Sequence, residues 1–143
     1  MTDVVISSAM LLIEAERQRQ IDEEGWTPDH DDQHEDGELM RAAMCYYLHA
    51  IITASYRDVV VGQQQDRRIR TRRAYETVTV PVPISWPWER RWWKPRNKKR
   101  DLVRSGALML AEKDRLSRLG RDSSHINHKL GLVEAALSEE IAK

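Results

Sequence analysis

The chain has 143 residues, with 23 basic and 23 acidic side chains, five histidines and one cysteine. That length suits a single domain with one core, and a net charge of zero gives no reason to expect a nucleic-acid or anionic-membrane partner. The lone Cys45 rules out an internal disulfide and a cysteine cage for zinc, and no apolar run approaches the roughly 20 residues of a membrane span.

The first apolar stretch, VVISSAMLLI, has no basic region before it and acids close behind. It is a poor signal peptide, so a cytoplasmic location is expected. Residues 7–24 predict a helix capped by Ser7 or Ser8. Met10, Ile13, Arg17 and Ile21 fall on one face, with Ala9, Leu12 and Glu16 beside them, and Gly25 stops it. Trp26 to about His34 reads as a loop, with Asp31 or Asp32 able to cap the next helix. That second helix is expected from about Glu35 to Tyr56, with Gly37 in its first turn.

Residues 57–87 read as an irregular, partly extended insertion. GQQQDRRIRTRR is polar and basic, and YETVTVPVPI alternates valine with polar residues before its prolines. WPWERRWWKP then places four tryptophans in ten residues. A third helix is predicted from near Asn97 to Leu119, with Leu102, Gly106, Met109, Leu110 and Leu116 at helical spacing. Gly120 ends it, and Ser123 or Ser124 caps a fourth over about 124–142. The expected architecture is all-α: one domain, residues 1–143, a small bundle of about four helices around the insertion.

The neutral total conceals two opposed blocks. Residues 22–38 hold nine acids and no lysine or arginine, whereas residues 57–104 hold fourteen bases against five acids. Such blocks can pair within the fold or between subunits, so a homo-oligomer, a dimer or higher, is expected. The basic KPRNKKRD at the start of the third helix works against the helix dipole unless an anion faces it. The internal partner expected there is the acidic loop, and the external one a phosphate.

Hard carboxylates at Asp31, Asp32, Glu35 and Glu38, with His34, make a candidate metal set for Mg²⁺. A helix beginning at Glu35 would put Glu35 and Glu38 on one face. The alternative is that these acids only cap and complement a helix start. The candidate ligand-binding residues are Arg17, Trp26, His30, Arg90, Arg91, Trp92, Lys94 and Arg100. Tryptophans interleaved with cations can stack on a base and hold its phosphate. Their alternative role is as core anchors, in a chain without phenylalanine.

Two stretches, ERQRQIDEEGWTPDHDDQHEDGELMRAAMCYY (16–47) and WPWERRWWKPRNKKRDLVRSGALMLAEKDRL (86–116), resemble a family of small phage and prophage proteins. The resemblance implies a phage accessory protein in the host cell cytoplasm, without implying an activity. EDGEL after a histidine-containing loop is also similar to the first ExxE helix of MazG-type all-α nucleotide pyrophosphohydrolases. Those enzymes need ExxD on a second helix, where this chain offers Asp101, Glu112 and Asp114 at other spacings. The expected function is therefore binding of a nucleotide or nucleotide-derived signal, serving counter-defence by sequestration. The alternatives are a Mg²⁺-dependent pyrophosphohydrolase and a protein-binding inhibitor of a host defence system.

Overall fold

Helix α1, Ser8–Glu24, starts where Ser7 leaves helical geometry and its hydroxyl accepts the Met10 N–H at 3.0 Å. It ends at Gly25, whose φ of 73° is open to glycine at little cost. The computed structural model describes residues 6–51 and 82–143. Within them the protein is all-α, as the periodicity predicts. α2 is the single turn Pro28–Asp31, α3 takes residues 38–51, α4 is Lys98–Arg118 and α5 is Ser124–Ala142; a 3-10 turn, Arg90–Trp92, precedes α4. Most of the expected insertion, residues 57–81, lies outside the described residues, as does the expected end of the second helix.

α4 is the central element and packs against α1, α2 and α5. Twelve of its residues are buried, among them Leu102, Ala107, Met109 and Ala111. α3 joins it through Leu39, Ala42, Ala43 and Tyr46, and through the Ser105 hydroxyl, which donates to the Ala43 carbonyl at 2.7 Å. The approach of α1 to α4 depends on Gly106, because a Cβ there would stand 2.6–2.9 Å from Ile13 side-chain atoms. α5 contributes Ile126, Leu130, Val133 and Leu137 to the core. No described helix is long and apolar enough to cross a membrane.

Several local expectations need correction. The 26–34 segment is not all loop: Thr27 caps α2, accepting the His30 N–H at 3.3 Å, with Pro28 at the favoured first position. Glu35 lies in a turn, Gly37 has φ of 77°, and helix resumes only at residue 38. The left-handed glycine interrupts the expected helix, so Glu35 and Glu38 do not share a helical face. Ser123 makes no side-chain cap; Asp122 accepts from the Ser124 N–H at 3.1 Å and from its hydroxyl at 2.5 Å. Leu12 is exposed, and the buried face of α1 instead runs Ala9, Ile13, Glu16, Arg17, Gln20.

The charge blocks also pair differently. The start of α4 is met by Glu16 of α1, which accepts from Arg100 at 2.7 Å, and by Glu140 of α5, 3.4 Å from Lys98. The anion at that end is Asp101, fully buried, accepting the Arg96 N–H at 2.8 Å and 3.2 Å from His49 Nδ1. The acidic segment faces the other end of α4, where Arg118 bonds Asp32 at 2.7 Å and Glu112, then Asp32 and Glu35, favour the charged form of Arg115.

Candidate functional site: an aromatic cavity

Trp26 is held by its backbone from two sides. Its N–H donates to the Gln20 carbonyl at 3.0 Å, and its own carbonyl accepts from Arg17 Nη1 at 3.1 Å. Arg17 in turn pairs with Asp31 of α2, both almost fully buried. Burial pushes the Asp31 carboxyl above its usual range, and the Arg17 charge and hydrogen bond only partly pull it back. This pair fixes α2 against α1 and presents Trp26, His30 and His34 along one wall.

The opposite wall comes from the tryptophan segment. Trp86 and Trp93 are buried around Tyr46, with ring centroids 5.6 and 4.8 Å from it. The Trp86 indole N–H donates to the Glu89 carbonyl at 3.1 Å, tying the segment to itself. These two rings therefore serve as core anchors. Trp88 and Trp92 do not: Trp88 is half-buried, and Trp92 is 49% exposed.

Between the walls lies a cavity of about 610 Å³ whose lining is mostly apolar and includes Trp26, His30, His34, Tyr46, Trp86, Trp88 and Trp92. Its rings form a continuous arc. Trp26 stacks on His30 with planes 7° apart and centroids 6.2 Å apart; His30 meets His34 at 5.0 Å, His34 meets Trp88 at 5.3 Å, and Trp88 meets Trp86 at 5.4 Å. A large apolar cavity with a few convergent polar groups is the usual form of a small-molecule site.

Three cations line the cavity as well: Arg19, Lys94 and Arg104. Arg19 is committed to Glu16, Glu23 and Glu24, at 2.6, 3.1 and 3.1 Å. Lys94 places its ammonium 5.5 Å from the Trp92 centroid, and Arg104 donates to the Lys94 carbonyl while lying 5.8 Å from the Tyr46 ring. Neither has a carboxylate partner among the described residues. The Lys94 N–H donates to the Tyr46 hydroxyl at 3.4 Å, and burial raises that phenol above its usual range, keeping it neutral.

The cavity thus brings together Trp26, His30, Trp92 and Lys94 of the eight candidate ligand residues. Arg17 lies behind the wall as a positioning residue. Arg90 and Arg91 are exposed on the 3-10 turn, where Arg91 pairs with Glu89 at 3.0 Å and lies 4.9 Å from the Trp92 ring centroid. Arg100 is engaged by Glu16. Gln20, Tyr46, Arg104 and Leu108 line the cavity and were not singled out by sequence. For Gln20 a signal existed: a polar residue at helical spacing from Ile13 and Arg17, on the face that turns inward.

The candidate metal residues do not form one cluster. Asp31 is taken by Arg17 and Asp32 by Arg118, and Glu35 is exposed in its turn. Glu38 bonds His34 Nδ1 at 2.9 Å and accepts the Asp36 N–H at 2.7 Å. Burial pushes the Glu38 carboxyl up, but those bonds outweigh it and hold the carboxyl below its usual range. Glu112 is paired with the buried Arg115. Guanidinium groups thus engage Asp31, Asp32 and Glu112, and no three of His, Cys, Asp or Glu among the described residues converge to hold a metal ion.

Comparison of the chain with protein-family models, with curated proteins and with solved structures finds no match.

Proposed function

We propose that the protein binds a nucleotide or nucleotide-derived molecule in the aromatic cavity and holds it without converting it. The carrying observation is the arc of rings from Trp26 to Trp86 around a cavity of about 610 Å³, with Lys94 and Arg104 beside it free of carboxylate partners among the described residues. A flat base finds faces to stack on, worth about 1–3 kcal/mol each. A phosphate finds two cations, where one charge-assisted hydrogen bond is worth about 1.5–3 kcal/mol. Binding without hydrolysis is favoured because Asp31, Asp32 and Glu112 are paired with arginines and Glu38 with His34, so that no three such groups among the described residues converge. Taken with the resemblance of residues 16–47 and 86–116 to phage accessory proteins, the role proposed is sequestration of a nucleotide signal in counter-defence.

The test is a titration with a nucleotide panel, with and without Mg²⁺, read by tryptophan fluorescence because four of the chain's five tryptophans line the cavity. Saturable quenching, followed by recovery of the intact nucleotide on heating, is expected. New products by chromatography would make it an enzyme. No binding up to millimolar concentration would remove the nucleotide reading and leave a protein partner.

A further inference from the structure

Charge on this chain is balanced in total but not in place. Residues 89–104, which run from the tryptophan segment into α4, hold eight lysines and arginines against Glu89 and Asp101. Both acids are engaged: Glu89 pairs with Arg91 at 3.0 Å, and the buried Asp101 accepts the Arg96 N–H at 2.8 Å. Glu140 and Glu16 reach the stretch from α5 and α1, and they hold Lys98 and Arg100. Arg90, Lys94, Arg96, Lys99 and Arg104 are left without a carboxylate partner among the described residues. The acidic segment that could balance them meets α4 at Arg118 instead. Roughly 20 Å of helix separates Arg104 from Arg118, more than two Debye lengths of about 8 Å at physiological ionic strength. The cations therefore act on whatever approaches this end of the molecule.

The basic patch is continuous with the aromatic cavity. Lys94 and Arg104 line the cavity, and Arg104 donates to the Lys94 carbonyl. The bond from the Arg96 N–H to Asp101 then carries the chain along the first turn of α4. At the mouth stands Trp92, 49% exposed, with Arg91 and Lys94 at 4.9 and 5.5 Å from its ring centroid. One phosphate at Lys94 and Arg104 would leave Arg90 and Arg96 unused and the outer part of Trp92 uncovered.

We propose that the ligand is a short single-stranded oligonucleotide. One nucleotide occupies the cavity with its phosphate at Lys94 and Arg104. The chain continues outside, with a second base against Trp92 and further phosphodiesters at Arg90 and Arg96. This rests on the nucleotide reading above and adds the class of ligand. Cations that follow a backbone, interleaved with rings on which bases stack, are how proteins hold single strands. A triphosphate tail would supply the charge but nothing flat for Trp92, and an acidic peptide would leave both the ring and the cavity unfilled.

The experiment compares AMP, ATP and the single-stranded tetranucleotide of adenosine, with the same sets for the other common bases. Each is titrated against the full chain between about 50 and 200 mM salt, the range over which phosphate contacts are read. For at least one base the tetranucleotide is expected to bind at least tenfold tighter than the monophosphate or triphosphate, with a steeper loss on adding salt. Arg96→Ala should lower the salt slope of the tetranucleotide by about 0.7, the share of one phosphate on a single strand, and leave the monophosphate unchanged. Lys99→Ala should change neither, since Lys99 lies about 140° around α4 from Arg104. The wild-type comparison alone decides the matter if a variant fails to fold. A tetranucleotide bound no tighter than its monophosphate or triphosphate overturns the proposal and leaves the nucleotide reading standing. Equal binding of a glutamate peptide of the same charge also overturns it, in favour of an acidic protein. Absence of binding to every nucleotide overturns both readings.

Discussion

Replacing Arg17 by methionine tests the joint on which the cavity depends. Asp31 is 0% exposed and Arg17 6%, and the guanidinium also holds the Trp26 carbonyl. Removing one partner of such a pair leaves an unpaired buried charge and costs about 3–5 kcal/mol. A domain of this size has a net stability of about 5–15 kcal/mol, so the loss is a large share of the total. Arg17→Met, measured by urea unfolding at neutral pH, should lose about that amount. Arg17→Met with Asp31→Leu should recover most of it, since the stranded carboxylate is gone. The pH dependence has a definite sign. Folding raises the Asp31 carboxyl, so its contribution to stability is complete below the ordinary carboxylate range and is lost as pH rises through the raised value. Without Arg17 that value rises further, so the deficit of Arg17→Met should shrink as the solution is acidified. A loss under about 1 kcal/mol at neutral pH, as for an exposed pair, would refute the buried-joint reading.

Four further outcomes are expected. Trp92→Ala should weaken nucleotide binding at least tenfold, whereas Arg100→Ala, whose guanidinium serves Glu16 outside the cavity, should leave affinity nearly unchanged by the same titration. Mg²⁺ or Mn²⁺ should leave the Tm unaltered in the wild type; a metal-induced rise that disappears in Glu35→Gln, Glu38→Gln would restore the metal site. Because the Glu38 carboxyl is held below its usual value, its bond with His34 contributes above the ordinary carboxylate range and is lost as pH falls through that lowered value, so Glu38→Gln should cost stability at neutral pH and progressively less in acid. Gly106→Ala should destabilise by about 1–3 kcal/mol in urea unfolding, because its methyl meets the fully buried Ile13.

The helices were legible where one residue decides the local geometry. Gly25 and Gly120, both at positive φ, end their helices, and Asn97 caps α4 by accepting the Arg100 N–H at 2.8 Å. Gly37 shows the limit of that reading: the same left-handed conformation sits inside EDGEL, where the flanking helix formers suggested continuity. The buried face of α1 was less visible because periodicity counts apolar residues, and three of its five buried positions are Glu16, Arg17 and Gln20. Which tryptophan is an anchor and which lines the cavity depends on where Tyr46 stands, a tertiary fact absent from the spacing in WPWERRWW. Lys94 and Trp92 could be named from composition alone, but Arg104 could not, because in sequence it resembles any basic residue on an amphipathic helix.

The polar face of α1 is costly as a core face and intelligible as the back wall of a site. Glu16 joins Arg19 of its own helix to Arg100 of α4. Arg17 locks α2 through Asp31 and grips the Trp26 carbonyl, and the Gln20 carbonyl accepts the N–H groups of Gly25 and Trp26. One face thus ends its own helix, turns the chain, and fixes both backbone groups of the first ring in the arc. Apolar residues at those positions would pack at least as well and would keep the Gln20 carbonyl, but without Arg17 the Trp26 carbonyl would lose its donor. If the face served stability alone, Arg17→Met with Asp31→Leu should recover stability and be without effect on any ligand. The nucleotide reading expects the first of these and not the second, and comparing unfolding with binding in that one variant separates them.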